Sequence, residues 1–349
     1  MAAPLQQSPE NRKTERFATV DVVIPVYNGQ QFILQALASV VQQTCAPQKI
    51  IVVDDGSTDN TAALVRGFAS PVPLEYVKQS HGGLSSARNA GIARCTGTYV
   101  AFLDADDEWY PGKLAEQLRI MQNTDLPDLG VVYCKYTIID EKGDPTDGYY
   151  VFELDTTVRG NVFSKLQDSN KIASSGSGVM VRRDCFEIVG GFDERLSAYE
   201  DWDMWLRLAE RYDFDFSYEP LVKIRRHAAN MQWSSSHMLV NQLHFYQKWL
   251  ARLPADAACY SRWRLDIAYR FVTDWQGASV IGPVTQILSK EERRALFGRT
   301  FGSFRLYLVG AIPWIAARFI GKRAKHAWNK LLYKARIRRS VMHRRKGQL

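Results

Sequence analysis

The chain predicts an α/β fold: a parallel sheet with helical crossovers in its first half, then a mixed-sheet half and a helical, basic C-terminal extension. Three observations carry this. Short, nearly all-apolar runs recur before residue 105, as in Val20-Asp-Val-Val-Ile-Pro-Val and Lys49-Ile-Ile-Val-Val-Asp, the pattern of strands buried on both faces. Stretches with helical apolar spacing separate them. Residues Thr300 to Leu349 hold thirteen Lys or Arg and no Asp or Glu.

Val20 to Val26 reads as the first strand, ending in the turn Tyr27-Asn28-Gly29. A helix follows from Gln31 to Gln43, with Ile33, Leu34, Leu37, Val40 and Val41 on one face. Lys49 to Asp55 is the second strand, and Gly56-Ser-Thr-Asp can cap a helix from Asn60 to Phe68. Leu74 to Val77 is a third strand. Gly82-Gly-Leu-Ser-Ser forms a loop whose serines can cap a helix through Ile92, and Thr98 to Leu103 is a fourth strand. In an open parallel sheet, ligands collect at the carboxyl ends of strands. Tyr27-Asn28, Asp54-Asp55 and Asp104-Ala-Asp106 all fall at such ends. Beyond Lys113 the pattern mixes, with strands at Val131–Ile139 and Ser177–Val181, a helix from Ala198 to Ala209 and extended chain from Tyr218 to Arg225. The divisions expected are a flexible stretch at 1–17, one domain at 18–234 made of halves 18–112 and 113–234, and a helical region at 235–349.

Composition closes several routes. The five cysteines (45, 95, 134, 185 and 259) are scattered and show no metal-ligand or CxxC spacing, so core thiols are expected rather than disulfides or a structural zinc. The tail outweighs the whole-chain charge of +8, leaving a mildly acidic body, so a basic nucleic-acid-binding domain is not expected. The opening residues lack an apolar core, which argues against a secretory signal and for the cytoplasm. No GxGxxG follows the first strand and no GxxxxGK[ST] occurs, which removes the dehydrogenase and P-loop signatures.

Asp104 and Asp106, two carboxylates at i and i+2 after a buried strand, can hold a hard divalent cation together with substrate phosphates. Mg2+ or Mn2+ there would offset the charge of a departing diphosphate. An acidic surface turn would show the same pattern. Of Asp54 and Asp55, one can cap the next helix while the other accepts the N–H of a planar base stacked on Tyr27. Arg88, near a helix start, offers a cation for phosphate. In Tyr199-Glu200-Asp201-Trp202, a carboxylate at a helix N-terminus is a candidate general base for an acceptor hydroxyl, or ordinary helix-end charge. Trp202 and Trp205 suit the core. His227, beside Arg225 and Arg226, is a metal ligand, a diphosphate contact or a surface residue.

Val23-Ile-Pro-Val-Tyr-Asn, Ile51-Val-Val-Asp-Asp-Gly-Ser-Thr-Asp, Gly83-Leu-Ser-Ser-Ala-Arg-Asn, Phe102-Leu-Asp-Ala-Asp-Asp and Gly190-Gly-Phe-Asp with Glu200-Asp201 together resemble the family 2 inverting glycosyltransferases of GT-A fold. The resemblance spans roughly residues 20 to 227. It implies a nucleotide-sugar donor, by preference a UDP-sugar, and a carbohydrate or lipid-linked acceptor. Pro25, Tyr27 and Asp55 would line the nucleobase and ribose pocket, with Asn28, Asp54 and Arg88 as further donor-binding positions. Asp104 would contact the ribose or metal, and Asp106 would ligate Mn2+ or Mg2+. Asp201 would deprotonate the acceptor, supported by Glu200, and His227 would face the diphosphate or metal. The QxxRW signature of processive synthases is missing, so single addition is expected. A sugar-nucleotide pyrophosphorylase and a non-catalytic scaffold remain the alternatives.

Residues 301–320 are apolar but broken by Arg305, Pro313 and Arg318, short of a membrane span. With the basic run after them, residues 301–346 suit an interfacial helix on an anionic membrane. That places the protein at the inner face of the cytoplasmic membrane. The other possibilities are a basic helix pair packed on the acidic body and nucleic-acid binding through this tail.

Overall fold

The computed structural model describes residues 18–146, 154–172, 176–228, 235–253 and 263. Its frame is one eight-stranded sheet in the order β3-β2-β1-β4-β7-β6-β8-β5. Strands β1 (Val20–Val26), β2 (Lys49–Asp54), β3 (Leu74–Lys78) and β4 (Tyr99–Phe102) form the parallel half. Helices α1 (Ile33–Val41), α2 (Thr61–Gly67) and α3 (Leu84–Ile92) make the crossovers. Every residue of β1 is buried, as the near-continuous apolar run requires. Helix α3 lies so close to it that a Cβ on Gly91 would come within 2.3 Å of Val23 Cγ1. Val26 pairs with Asp54 and Val23 with Phe102, so three strand ends open on one edge. Pro25 lies beyond the last β1–β4 pair, where its missing N–H leaves no gap in that ladder.

Beyond β4 the sheet turns mixed. β7 (Met180–Arg182) is antiparallel to β4 and to β6 (Leu129–Ile139). β8 (Asp213–Arg225) is parallel to β6 and antiparallel to the two-residue β5 (Glu108–Trp109). The β6–β8 ladder shifts register three times. Helices α4 (Lys113–Gln122), α5 (Phe163–Asp168), α6 (Cys185–Val189) and α7 (Glu200–Ala209) complete this half. Of these only α7 was expected, because α5 and α6 are too short to show a helical period. β8 is longer than the predicted Tyr218–Arg225.

At α2 one of the two expected side chains acts at the helix start, Asp59 taking the N–H and hydroxyl of Thr61, while the other, Ser57, uses Oγ to accept the Asn28 N–H. At α3 neither Ser85 nor Ser86 caps. Both lie inside the helix, and Ser85 Oγ donates to the Leu196 carbonyl at 2.7 Å.

Trp202 and Trp205 are core, at 6 % and 0 % exposure. Helix α8 (Ser235–Leu250) packs on α7 through Phe245, stacked on Trp202 at 4.5 Å, and through Trp249 Nε1, which donates to buried Asp203. Cys95, Cys134 and Cys185 are buried free thiols and Cys45 a half-buried one. Among the described residues no helix is long and apolar enough to cross a membrane. The expectations for residues 1–17, Cys259 and the tail at 301–346 lie outside the described residues.

Candidate active site

The site starts where the β1 and β2 turns lock together. Asn28, held at φ +50, accepts the Thr58 N–H on Oδ1 at 2.9 Å. Asp54 is fully buried and already engaged. Its carboxylate accepts the Ser57 N–H at 2.7 Å and the Tyr76 hydroxyl at 2.5 Å. Burial pushes its pKa up, but those hydrogen bonds outweigh it and the carboxyl titrates below the usual range. Asp54 therefore holds its own turn and ties it to β3. Asp55 points the other way, as the next residue must at a strand end. It accepts the N–H groups of Gly82 and Gly83, each at 2.8 Å, and so holds the turn that leads into α3. Gln79 Nε2 at 2.8 Å and His81 Nδ1 at 2.9 Å also donate to it. Tyr27 is half exposed, and its ring faces that of His81 at 4.3 Å.

The loop from Asp104 to Glu108 is held from both sides by buried arginines. Arg88, fully buried, gives one guanidinium nitrogen to Asp104 Oδ1 and another to Glu200 Oε1, each at 2.8 Å. It does not sit at the helix N-terminus as a phosphate cation. It braces two carboxylates that are 96 residues apart in sequence. At the far end Arg225 Nε donates to the Asp106 carbonyl and its backbone N–H to Asp107, both at 2.9 Å. The same guanidinium pairs with Glu108 and reaches the Asp140 carbonyl at 3.0 Å. Ser177 Oγ accepts the Asp104 N–H at 3.0 Å and donates to Asp107 Oδ2 at 2.6 Å. Burial, then the neighbouring Asp106 and Asp104, raise the Asp107 pKa well above the usual range.

His227 Nε2 lies 3.0 Å from Asp106 Oδ2, with its ring against Phe32 at 4.9 Å. Burial and the Asp104 charge raise the Asp106 pKa, and the His227 bond opposes them. A cleft of about 520 Å3 opens beside His227, lined by Asp140, Glu141, Lys142 and Arg226. Among the described residues no three His, Cys, Asp or Glu side chains gather into a complete metal cage. The donor set nevertheless fits Mn2+ or Mg2+, which such sites hold with one or two protein ligands and substrate phosphates. Asp106 and His227 already touch, and Asp104 lies two residues away.

Helix α7 brings the third group. Its N-cap, Tyr199, is left-handed at φ +64, and a non-glycine residue held there is strained backbone of the kind concentrated at functional sites. Asp201 Oδ1 accepts the Trp202 N–H at 2.6 Å and Oδ2 accepts Asn170 Nδ2 at 3.2 Å. Burial and the adjacent Glu200 charge push its pKa up to about 7, with Arg88 opposing. A carboxyl poised near neutrality suits a general base. Gln79, His81, Asn170, Ser177 and Arg225 escaped the sequence analysis as site residues. Only Arg225, in Arg-Arg-His, stood beside a flagged position.

These features meet in a known class. Residues 21–187 match glycosyl transferase family 2. An uncharacterized glycosyltransferase of Rickettsia prowazekii is 32% identical over 234 residues, covering 65% of this chain and 69% of its own. The chain belongs to glycosyl transferase family 2. Two solved structures share the GT-A fold. The mannosyltransferase PcManGT from Pyrobaculum calidifontis, in complex with GDP-Man and Mn2+, aligns at TM-score 0.55 and 20% identity over 84% of this chain and 86% of that one. S. aureus TarS 1-349 in complex with UDP-GlcNAc aligns at TM-score 0.52 and 18% identity, over 82% and 80%.

Proposed function

We propose that this chain transfers a single sugar from a nucleotide-sugar donor, a UDP-sugar by preference, to an acceptor hydroxyl with inversion, in the assembly of a cell-surface polysaccharide or glycolipid. The observation that carries this is the Arg88 brace, which ties the strand-end carboxylate Asp104 to the α7 carboxylate Glu200, next to Asp201. A donor-side carboxylate and the carboxylate beside the candidate base are thus held on one cation. GDP-Man with Mn2+ in one fold relative and UDP-GlcNAc in another support a nucleotide-sugar donor.

Residues 18–112 bind the donor and 113–234 the acceptor. Tyr27 stacks the nucleobase and Asp55 accepts its N–H, with Pro25 and Asn28 shaping that edge. Asp106 and His227, with Asp104, would hold Mn2+ or Mg2+, which offsets the charge of the departing nucleoside diphosphate. Asp201 takes the acceptor hydroxyl proton as that oxygen bonds to the anomeric carbon. The bond to the diphosphate breaks on the opposite face, so the configuration inverts. Arg88 holds Glu200 and Asp104 fixed during this exchange. The basic segment 301–346 docks on the anionic inner face of the cytoplasmic membrane beside a lipid-linked acceptor.

Thermal unfolding with Mn2+ and a panel of nucleoside diphosphates and nucleotide sugars tests the donor site. A ligand that binds only the folded state raises the midpoint. One nucleotide is expected to do so, and Asp106→Ala to abolish the rise; no rise with any of them would overturn the reading. For the tail, co-sedimentation with anionic vesicles should vanish on truncation after Lys290, and persistence would refute membrane docking.

A further inference from the structure

In the proposed donor site the nucleobase needs two things, the open face of Tyr27 and a lone pair on Asp55. One side chain holds both. His81 lies on the Tyr27 ring with centroids 4.3 Å apart and planes 32° from parallel. Its Nδ1 is 2.9 Å from Asp55 Oδ2 and 3.1 Å from the Asp55 carbonyl. Both partners are acceptors, so Nδ1 carries the proton.

A carboxylate offers about four acceptor positions, and those of Asp55 are filled. Oδ1 receives Gly82 N–H and Gln79 Nε2, and Oδ2 receives Gly83 N–H and His81. The two backbone donors belong to the Gly82-Gly83 turn that leads into α3 and cannot leave without moving that turn. Gln79 is also within 3.4 Å of Ser86 Oγ. His81 is the exposed donor, its side chain 59 % accessible against 4 % for Asp55. Its backbone is pinned. Gly56 sits at φ +84, where a Cβ would come within 3.0 Å of the His81 nitrogen, and the flanking Gln79 and Gly82 N–H groups bond to Asp54 O and Asp55 Oδ1. What remains mobile is rotation of the imidazole, a fast motion for an exposed side chain.

We infer that His81 is a displaceable plug that occupies the nucleobase position and must swing off Tyr27 and Asp55 before the donor binds. This rests on the proposed function. Apparent donor affinity is then lowered by the fraction of time the ring is away from the site. It also selects for bases that present an aromatic face and a ring N–H together, since such a base replaces both contacts it displaces.

Calorimetric titration of the full chain with UDP, and separately with GDP, in the presence of Mn2+ tests this. His81→Ala should bind the preferred nucleotide about fivefold more tightly or better. His81→Phe, which keeps a ring on Tyr27 but has no N–H for Asp55, should gain less. Weaker binding by the Ala variant would overturn the inference by making His81 a base contact, and equal affinity would overturn it by making the side chain irrelevant. Equal gains for Ala and Phe would overturn the blocking of Tyr27. No binding of either nucleotide by wild type or variant would instead overturn the proposed function, and this inference with it.

Discussion

The parallel and mixed halves of the sheet hold their candidate site residues by different means. In the parallel half the site residues stand at strand ends and are held by neighbouring turns: Asn28 by Thr58, Asp54 by Ser57 and Tyr76, Asp55 by Gly82 and Gly83. In the mixed half they are held across long stretches of chain: Glu200 by Arg88, Asp107 by Arg225 and Ser177, Asp201 by Asn170. The first arrangement follows from a repeated strand–turn–helix unit, the second from bulged strands and short helices that have no unit. The difference teaches that the donor side rests on contacts between adjacent strand ends, whereas the base side leans on Arg88 and Arg225, whose bonds to Glu200 and Asp107 span 112 and 118 residues.

Asp201→Asn strikes the mixed half hardest. Transfer should fall by about 10³-fold, in the range for a lost general base, with donor binding kept; full turnover would remove the base assignment. The same variant should melt higher at pH 8. With a folded pKa of about 7 against 3.8, the native state holds more protons than the unfolded one between those values, so this group costs stability as pH rises through that window. Asparagine cannot ionise and removes the cost. Wild-type activity should correspondingly rise through about pH 7.

Arg88→Met probes the link between the halves. It leaves Asp104 and buried Glu200 without their shared cation, a change that costs about 3–5 kcal/mol in such settings. Arg88→Lys should rescue little, because one ammonium cannot span two carboxylates as a planar fork does. Urea denaturation measures both, and a loss under about 1 kcal/mol would mean that the halves are not braced there.

Lys113→Met should have the smallest effect. Lys113 is fully buried, with Nζ 2.8 Å from Gln117 Oε1 and 4.0 Å from the Trp109 ring centre. Burial lowers its pKa to about 7, so the unfolded state binds more protons between about 7 and 10.5 and wild-type stability rises with pH there. Methionine keeps the volume, and stability should change by about 1 kcal/mol or less. The upward slope above pH 7 should flatten in the variant, and an unchanged slope would show that the lysine stays charged in the fold.

The donor side was largely legible. β1, β2 and β4 appear where the apolar runs end, and Tyr27, Asp55, Asp104 and Asp106 lie on one edge because the strands are parallel and in register. What misled was side-chain partnership. The serines of Gly82-Gly-Leu-Ser-Ser suit a cap by composition, yet α3 has no side-chain cap, and Asp55 instead holds the turn before it from 27 residues away. Arg88 followed the helix-start pattern for phosphate, yet it turns inward to two carboxylates.

Sequence alone determined the α/β class, the order of the strand-end motifs and the types of group available for chemistry, since period, turn residues and spacing are local properties. Tertiary structure alone decided which partners each carboxylate has and how exposed those partners are. Asp54 and Asp55 are adjacent and chemically identical, but one is sealed by Tyr76 and Ser57 while the other meets His81 at the surface. Burial and hydrogen-bond partners set those fates, and apart from Ser57 those partners are distant in the chain.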